Sequence, residues 1–171
     1  QQIRAGLLYE AAALFSNLGS QDAAAWLYED VLEHAPSDVM ARNNLGYHLL
    51  EQNRMDGYLQ RLIENVWRDA PDDPAVLDTY GWMLYLTGRF EDDGASPGAI
   101  SLLEEANRRS GDDPSPEILN HLGDTYYRLG DVDAARDAWS QALSIIESPE
   151  QRAQWTLASM QLQESLWSRR L

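Results

Sequence analysis

The chain is 171 residues long, 44% apolar, and carries six Trp and eight Tyr, enough to build a continuous core and too apolar for a disordered chain. Its formal charge is −15 and its basic residues are all Arg, so nothing concentrates the positive charge that nucleic-acid binding requires. The absence of Cys removes disulfide scaffolds, thiolate metal sites and cysteine nucleophiles, and no apolar run approaches the ~18 residues of a membrane span.

In chain order, Gln1-Gln2-Ile3-Arg4 leads into an amphipathic segment rather than a secretory signal. That abrupt start suggests a fragment of a longer protein and leaves the compartment open. Leu8, Ala11, Ala12 and Phe15 recur at helical spacing up to Gly19, which reads as a turn. Ala24, Tyr28 and Val31 continue the pattern to Pro36, and His34 suits a helix C-terminus, where a cation complements the dipole.

The next segments repeat one grammar. Leu45-Gly46, Tyr80-Gly81 and Leu122-Gly123 are followed three residues later by Leu49, Leu84 and Tyr126. Each is then followed by a second helical frame: Leu59, Ile63, Val66; Ala99, Leu103, Ala106; and Ala135, Trp139, Ala142. Gly46, Gly81 and Gly123 are expected to face Leu59, Ala99 and Ala135 across each hairpin, allowing close approach despite glycine's helix penalty of about 1 kcal/mol. The turn from Gln52 to Tyr58 holds one extra residue, and Asp92-Asp93-Gly94-Ala95-Ser96-Pro97 lengthens the following hairpin. Asp73 before Pro74 and Asp113 before Pro114 read as turns that start the next repeat, with acid near a helix N-terminus.

After Ser148-Pro149-Glu150 the pattern predicts a C-terminal helix over 150–171. Ala153, Leu157, Met160, Trp167 and Leu171 fall on one side of it, and Trp155, Ala158, Leu162 and Leu166 on the other. A terminal helix should bury one side only, so Trp155, Leu162 and Leu166 are candidates for self-association as a homodimer.

In this order of apolar, small and aromatic residues the chain resembles the tetratricopeptide repeat. The fourth repeat fits best, with Leu119, Leu122, Gly123, Tyr126, Gly130, Ala135, Trp139 and Ala142 at the motif positions. Gly19, Gly88 and Gly130 fall at the turns, and the likeness covers residues 5 to about 149. The resemblance implies an all-α fold, a right-handed α-α superhelix of about four helix-turn-helix repeats plus the C-terminal helix. Residues 1–171 then form one domain, with repeats at about 5–38, 39–73, 74–115 and 116–149. Asn43-Asn44-Leu45-Gly46-Tyr47, Asp78-Thr79-Tyr80-Gly81-Trp82 and His121-Leu122-Gly123-Asp124 look like bacterial tandem repeats, cytoplasmic or extracytoplasmic.

In that family the first helix of each pair lines the concave face. The resemblance therefore implies a groove formed by Asn43, Tyr47, Asp78, Trp82, Asn120, Asp124, Tyr127 and Arg128. Asn can donate to and accept from a peptide backbone, and Tyr and Trp offer apolar area with a polar handle. The expected partner is a protein or peptide, neutral or basic. Asp78 and Asp124 would repel the acidic tails that some relatives clamp with Lys, a residue this chain lacks.

No catalytic set is visible. His34, His48 and His121 lie on separate segments without metal-ligand spacing, and Glu91-Asp92-Asp93-Gly94, Asp72-Asp73 and Gly111-Asp112-Asp113 lack the order of a calcium loop. No cofactor, metal or nucleotide motif is present. The sequence thus describes a non-catalytic interaction scaffold. Its alternative is an oligomerisation module of a larger protein that associates through the C-terminal helix.

Overall fold

The structure, a computed structural model, describes residues 2–146. Among them are eight α-helices and no strand: α1 Gln2–Asn17, α2 Gln21–His34, α3 Val39–Glu51, α4 Gly57–Asp69, α5 Pro74–Leu86, α6 Ala99–Ser110, α7 Pro116–Leu129 and α8 Val132–Ile145. The helix expected over 150–171, with Trp155, Leu162 and Leu166, lies outside the described residues. Residues 1–109 form one compact unit, holding α1 to α5 and nearly all of α6, and a second unit begins at Ser110.

In the first unit, aspartates set the starts of α3, α4 and α5. Asp38 accepts from the Ala41 amide at 2.9 Å, Asp56 from Tyr58 and Leu59, and Asp73 from Ala75 and Val76 with Pro74 in the first turn. Each bond satisfies amides that a helix leaves open at its N-terminus. Gly19 and Gly88 turn the chain at φ +74° and +79°, whereas the longer turn after α3 uses Asn53 at φ +57°, a residue that tolerates the left-handed region.

The frame residues make the core. Ala12, Ala24, Tyr28, Val31, Leu45, Leu49, Leu59, Ile63, Val66, Tyr80, Leu84, Ala99, Leu103 and Ala106 are all buried. Phe15 departs from the pattern and is exposed.

The side chain nearest each glycine lies one helical turn further along than expected, while Gly81 also keeps the expected Ala99, whose carbonyl oxygen lies 3.4 Å from where a Cβ would stand. A Cβ on Gly46 would lie 3.0 Å from Ile63 Cγ1, and one on Gly81 would lie 2.9 Å from Leu103 Cγ. Antiparallel helices therefore meet at the middle residue of each second-helix frame, so the close approach is real and its register is shifted.

The inserted loop is stapled by its own acids. Asp93 accepts from the Ala95 and Ser96 amides, and Asp92 accepts from the Ser101 hydroxyl and the Gly98 amide, both at 2.7 Å. Those two bonds, the Ser101 hydroxyl first, hold the Asp92 carboxyl below the usual carboxylate range. A side chain at Gly98 would come within 2.6 Å of Glu91 Cα, so glycine is required where the loop closes on α6.

In the second unit, α7 begins at Pro116, two residues past the Asp113-Pro114 turn. Ser115 caps it by accepting from the Ile118 amide, with Pro116 in the first turn. Gly130, at φ +91°, ends α7, and Asp131 caps α8 by accepting from the Ala134 amide at 3.1 Å. Ile118, Leu119, Leu122, Ala135, Ala138 and Ala142 are buried, and the Trp139 indole covers Gly123.

Candidate functional site

Most of the residues expected to line a groove are buried instead. In the first unit Trp82 is 0% exposed; its indole N–H donates to Glu51 Oε1 at 3.2 Å and its ring stacks on Tyr85 at 4.8 Å. Asn43 and Asp78 are buried as well, and Tyr47 is half-buried with its ring edge toward His48. The cause is that the first helices α3 and α5 pack against each other, which turns these frame positions into contacts between repeats.

In the second unit Asp124 is 1% exposed and accepts from Trp139 Nε1 at 3.2 Å, so it serves its own hairpin. Asn120 is buried. Tyr127, 39% exposed, and half-buried Arg128 are the members with surface to offer.

The first unit instead holds an open cleft of about 500 Å³ beside α1 and the start of α3. Gln2, Ala5, Gly6, Tyr9 and Glu10 line one wall, and Ala35, Asp38 and Met40 the other. Its chemistry is apolar and aromatic with two carboxylates and no cation.

Behind it, the Asn44 amide donates to the hydroxyls of both Tyr9 and Tyr28, at 3.1 and 3.0 Å, and the two rings meet edge to face at 5.5 Å. Burial pushes both phenols above their ordinary pKa of 10.0, and the Asn44 bonds offset only part of that. Each hydroxyl therefore keeps its proton at neutral pH as a donor.

Sequence reasoning selected Asn43 and passed over Asn44. The two differ by about 100° around the helix, which is the difference between a buried face and the Tyr9–Tyr28 cluster. The signal available was the pair of tyrosines, one on each helix of the first hairpin.

His48 is buried, stacks on Tyr28 at 5.7 Å, and its Nδ1 has no hydrogen-bond partner. Burial lowers its pKa below 6.5. His34 closes α2, where a helix C-terminus was expected. Among the described residues no three His, Cys, Asp or Glu side chains gather to hold a metal ion, and no helix is long and apolar enough to cross a membrane.

Two family profiles described as tetratricopeptide repeat match the chain, over residues 9–74 and 116–148. A TPR repeat-containing protein of Pseudomonas aeruginosa is 35% identical over 94 residues, 55% of this chain; the chain spans only 14% of that protein's length. Among solved structures, MamA from Desulfovibrio magneticus is similar with a TM-score of 0.57 at 21% identity, over 82% of this chain and 74% of that one. A TPR protein of Thermus thermophilus gives 0.57 at 16% identity, over 91% and 98% of the two chains. The Sgt2 TPR domain from Aspergillus fumigatus gives 0.58 at 14% identity, over 75% and 81%. At these identities the structural likeness concerns the fold.

Proposed function

The chain belongs to the tetratricopeptide repeat family of protein-interaction scaffolds, and from that premise we propose that it holds a neutral or basic peptide segment in the cleft beside α1 and α3. The observation that carries this reading is the make-up of the cleft: Ala5, Gly6, Tyr9 and Met40 supply apolar area, and Glu10 and Asp38 supply negative charge with no cation among the lining residues. A cationic side chain could lie over the Tyr9 ring with its head near Glu10, an arrangement favoured by the ring quadrupole and the carboxylate together. Tyr47 would extend this surface within the first unit, and Tyr127 and Arg128 are the accessible positions of the second.

Asn43, Asp78, Trp82, Asn120 and Asp124 act in this reading as framework that fixes the first helices rather than as direct contacts. The scaffold is non-catalytic, as repeats of this family generally are. An acidic tail finds no positive lining in the cleft and is rejected.

Titration of the full chain with a labelled Arg-containing peptide and an Asp-containing peptide of equal length tests the proposal. Tyr9→Ala and Glu10→Arg should each weaken the basic peptide, and the acidic peptide should not bind. Equal binding by Tyr9→Ala would reduce the effect to bulk charge and remove the cleft from the account.

A further inference from the structure

The Tyr9 ring is a fixed wall of the cleft rather than a free side chain. Its hydroxyl accepts from the Asn44 amide, and the Tyr28 hydroxyl accepts from the same nitrogen, so one side chain of α3 ties both helices of the first hairpin. The buried Tyr28 ring, set edge to face against Tyr9, restrains it further.

Both carboxylates of the cleft act on that ring. Burial is the main cause of the raised Tyr9 pKa, the Asn44 bond offsets part of it, and the charges of Asp38 and Glu10 add to it, so each lies within electrostatic reach of the phenol. Glu10 follows Tyr9 on α1, and Asp38 stands on the other wall at the start of α3. One oxygen of Asp38, Oδ1, accepts from the Ala41 amide; Oδ2 takes no bond among the described residues.

A cation seated on Tyr9 therefore meets negative charge from two walls, and lysine and arginine differ in how well they use it. Lysine ends in a compact, strongly hydrated ammonium. Arginine ends in a weakly hydrated plane that lies flat on an aromatic face and directs N–H groups outward in several directions at once. Protonation of the phenol sharpens the difference: a phenolate would attract either cation by charge alone, whereas the neutral ring attracts through its face. Ala5 and Met40 add apolar lining against which the arginine methylenes can pack.

We infer that the cleft is an arginine-selective subsite: the guanidinium of one Arg of a bound peptide stacks on the Tyr9 ring with Glu10 and Asp38 at its edges, and Asn44 is the positioning residue that holds the ring for it. This deepens the peptide-cleft reading and rests on it.

Fluorescence anisotropy on the full chain tests the subsite with three labelled peptides that differ at one position, which is Arg, Lys or citrulline. The wild type should bind the Arg peptide roughly three- to tenfold tighter than the Lys peptide. Citrulline keeps the planar shape without the charge and should bind more weakly than Arg. Tyr9→Leu should bring the Arg and Lys peptides to about the same affinity. Asn44→Ala should narrow the gap by weakening the Arg peptide more than the Lys peptide. Tyr9→Phe, which keeps the ring and cuts the same tie while Asn44 stays bonded to Tyr28, should narrow it too, so the tie is tested even where Asn44→Ala fails to fold.

Equal affinity of the wild type for the Arg and Lys peptides would overturn the subsite while leaving the peptide cleft standing, and so would a citrulline peptide that matches Arg. An Arg preference that survives Tyr9→Leu would overturn it as well, by assigning the preference to the carboxylates. A gap unchanged in both Asn44→Ala and Tyr9→Phe would strike the positioning role of Asn44. Binding of none of the three peptides by the wild type would remove the cleft itself, and the subsite with it.

Discussion

The hairpins α3–α4 and α7–α8 place a glycine at the same frame position and use it differently. Gly46 lies against Ile63, a flexible aliphatic side chain 3.0 Å from where a Cβ would stand. Gly123 lies under the Trp139 indole, whose Cε2 would be 2.7 Å from such a Cβ, and that indole is tied to Asp124 by a hydrogen bond. One small residue permits close approach with some tolerance; the other is a requirement imposed by a rigid ring. A repeat motif therefore records that a glycine is present without recording how much depends on it.

The sharpest way to break this comparison is Gly123→Ala. The added methyl must displace the indole and its bond to Asp124, costing about 2 kcal/mol net of alanine's better helix propensity. A fall in melting temperature of about 4–8 °C by calorimetry is expected, and an unchanged melting point would mean that Trp139 does not sit over Gly123.

Gly81→Ala should cost less, about 1 kcal/mol, because Leu103 Cγ at 2.9 Å and the Ala99 carbonyl oxygen at 3.4 Å leave limited room to yield. Chemical denaturation would resolve it from the first variant by the smaller shift in midpoint.

Acid sensitivity separates the hairpins in another way. Where α3 carries buried His48 with an unpaired Nδ1, α7 carries buried Thr125, whose hydroxyl donates to the His121 carbonyl at 2.8 Å. The folded state holds the His48 pKa below 6.5, so it binds fewer protons than the unfolded state once the pH drops below that value. Stability from this site is complete above pH 6.5 and declines as the pH falls toward the lowered pKa. Relative to the wild type, His48→Phe should flatten the loss of stability below pH 6.5, and parallel pH profiles for the two proteins would contradict the assignment. The smallest effect belongs to Gly46→Ala, where helix propensity and the yielding Ile63 nearly cancel; a melting temperature within about 2 °C of wild type is expected.

Periodicity carried the fold because the same apolar frame recurs and each frame position has one physical task. Turn glycines at 19, 88 and 130 were legible for the same reason: a positive φ restricts the residue that can stand there. The Asn53 turn and the Asx-stapled loop at 92–98 were visible as insertions only, since their hydrogen bonds depend on local geometry and not on a repeat.

The site was far less legible. Asp124 and Trp82 look like groove residues by position, but their burial depends on what packs beside them, which the spacing within one helix does not encode. Tyr9 and Asn44 were hidden for the converse reason, because the hydrogen bond that joins them links two segments 35 residues apart.

Hydrogen exchange read by mass spectrometry on the full chain, with and without the Arg-containing peptide, tests the central claim that the first-helix side of the first unit holds a partner. Added protection should fall on residues 2–10 and 35–47 and be lost in Tyr9→Ala. Protection confined to the second helices α2, α4 and α6, or protection that survives Tyr9→Ala unchanged, would contradict it.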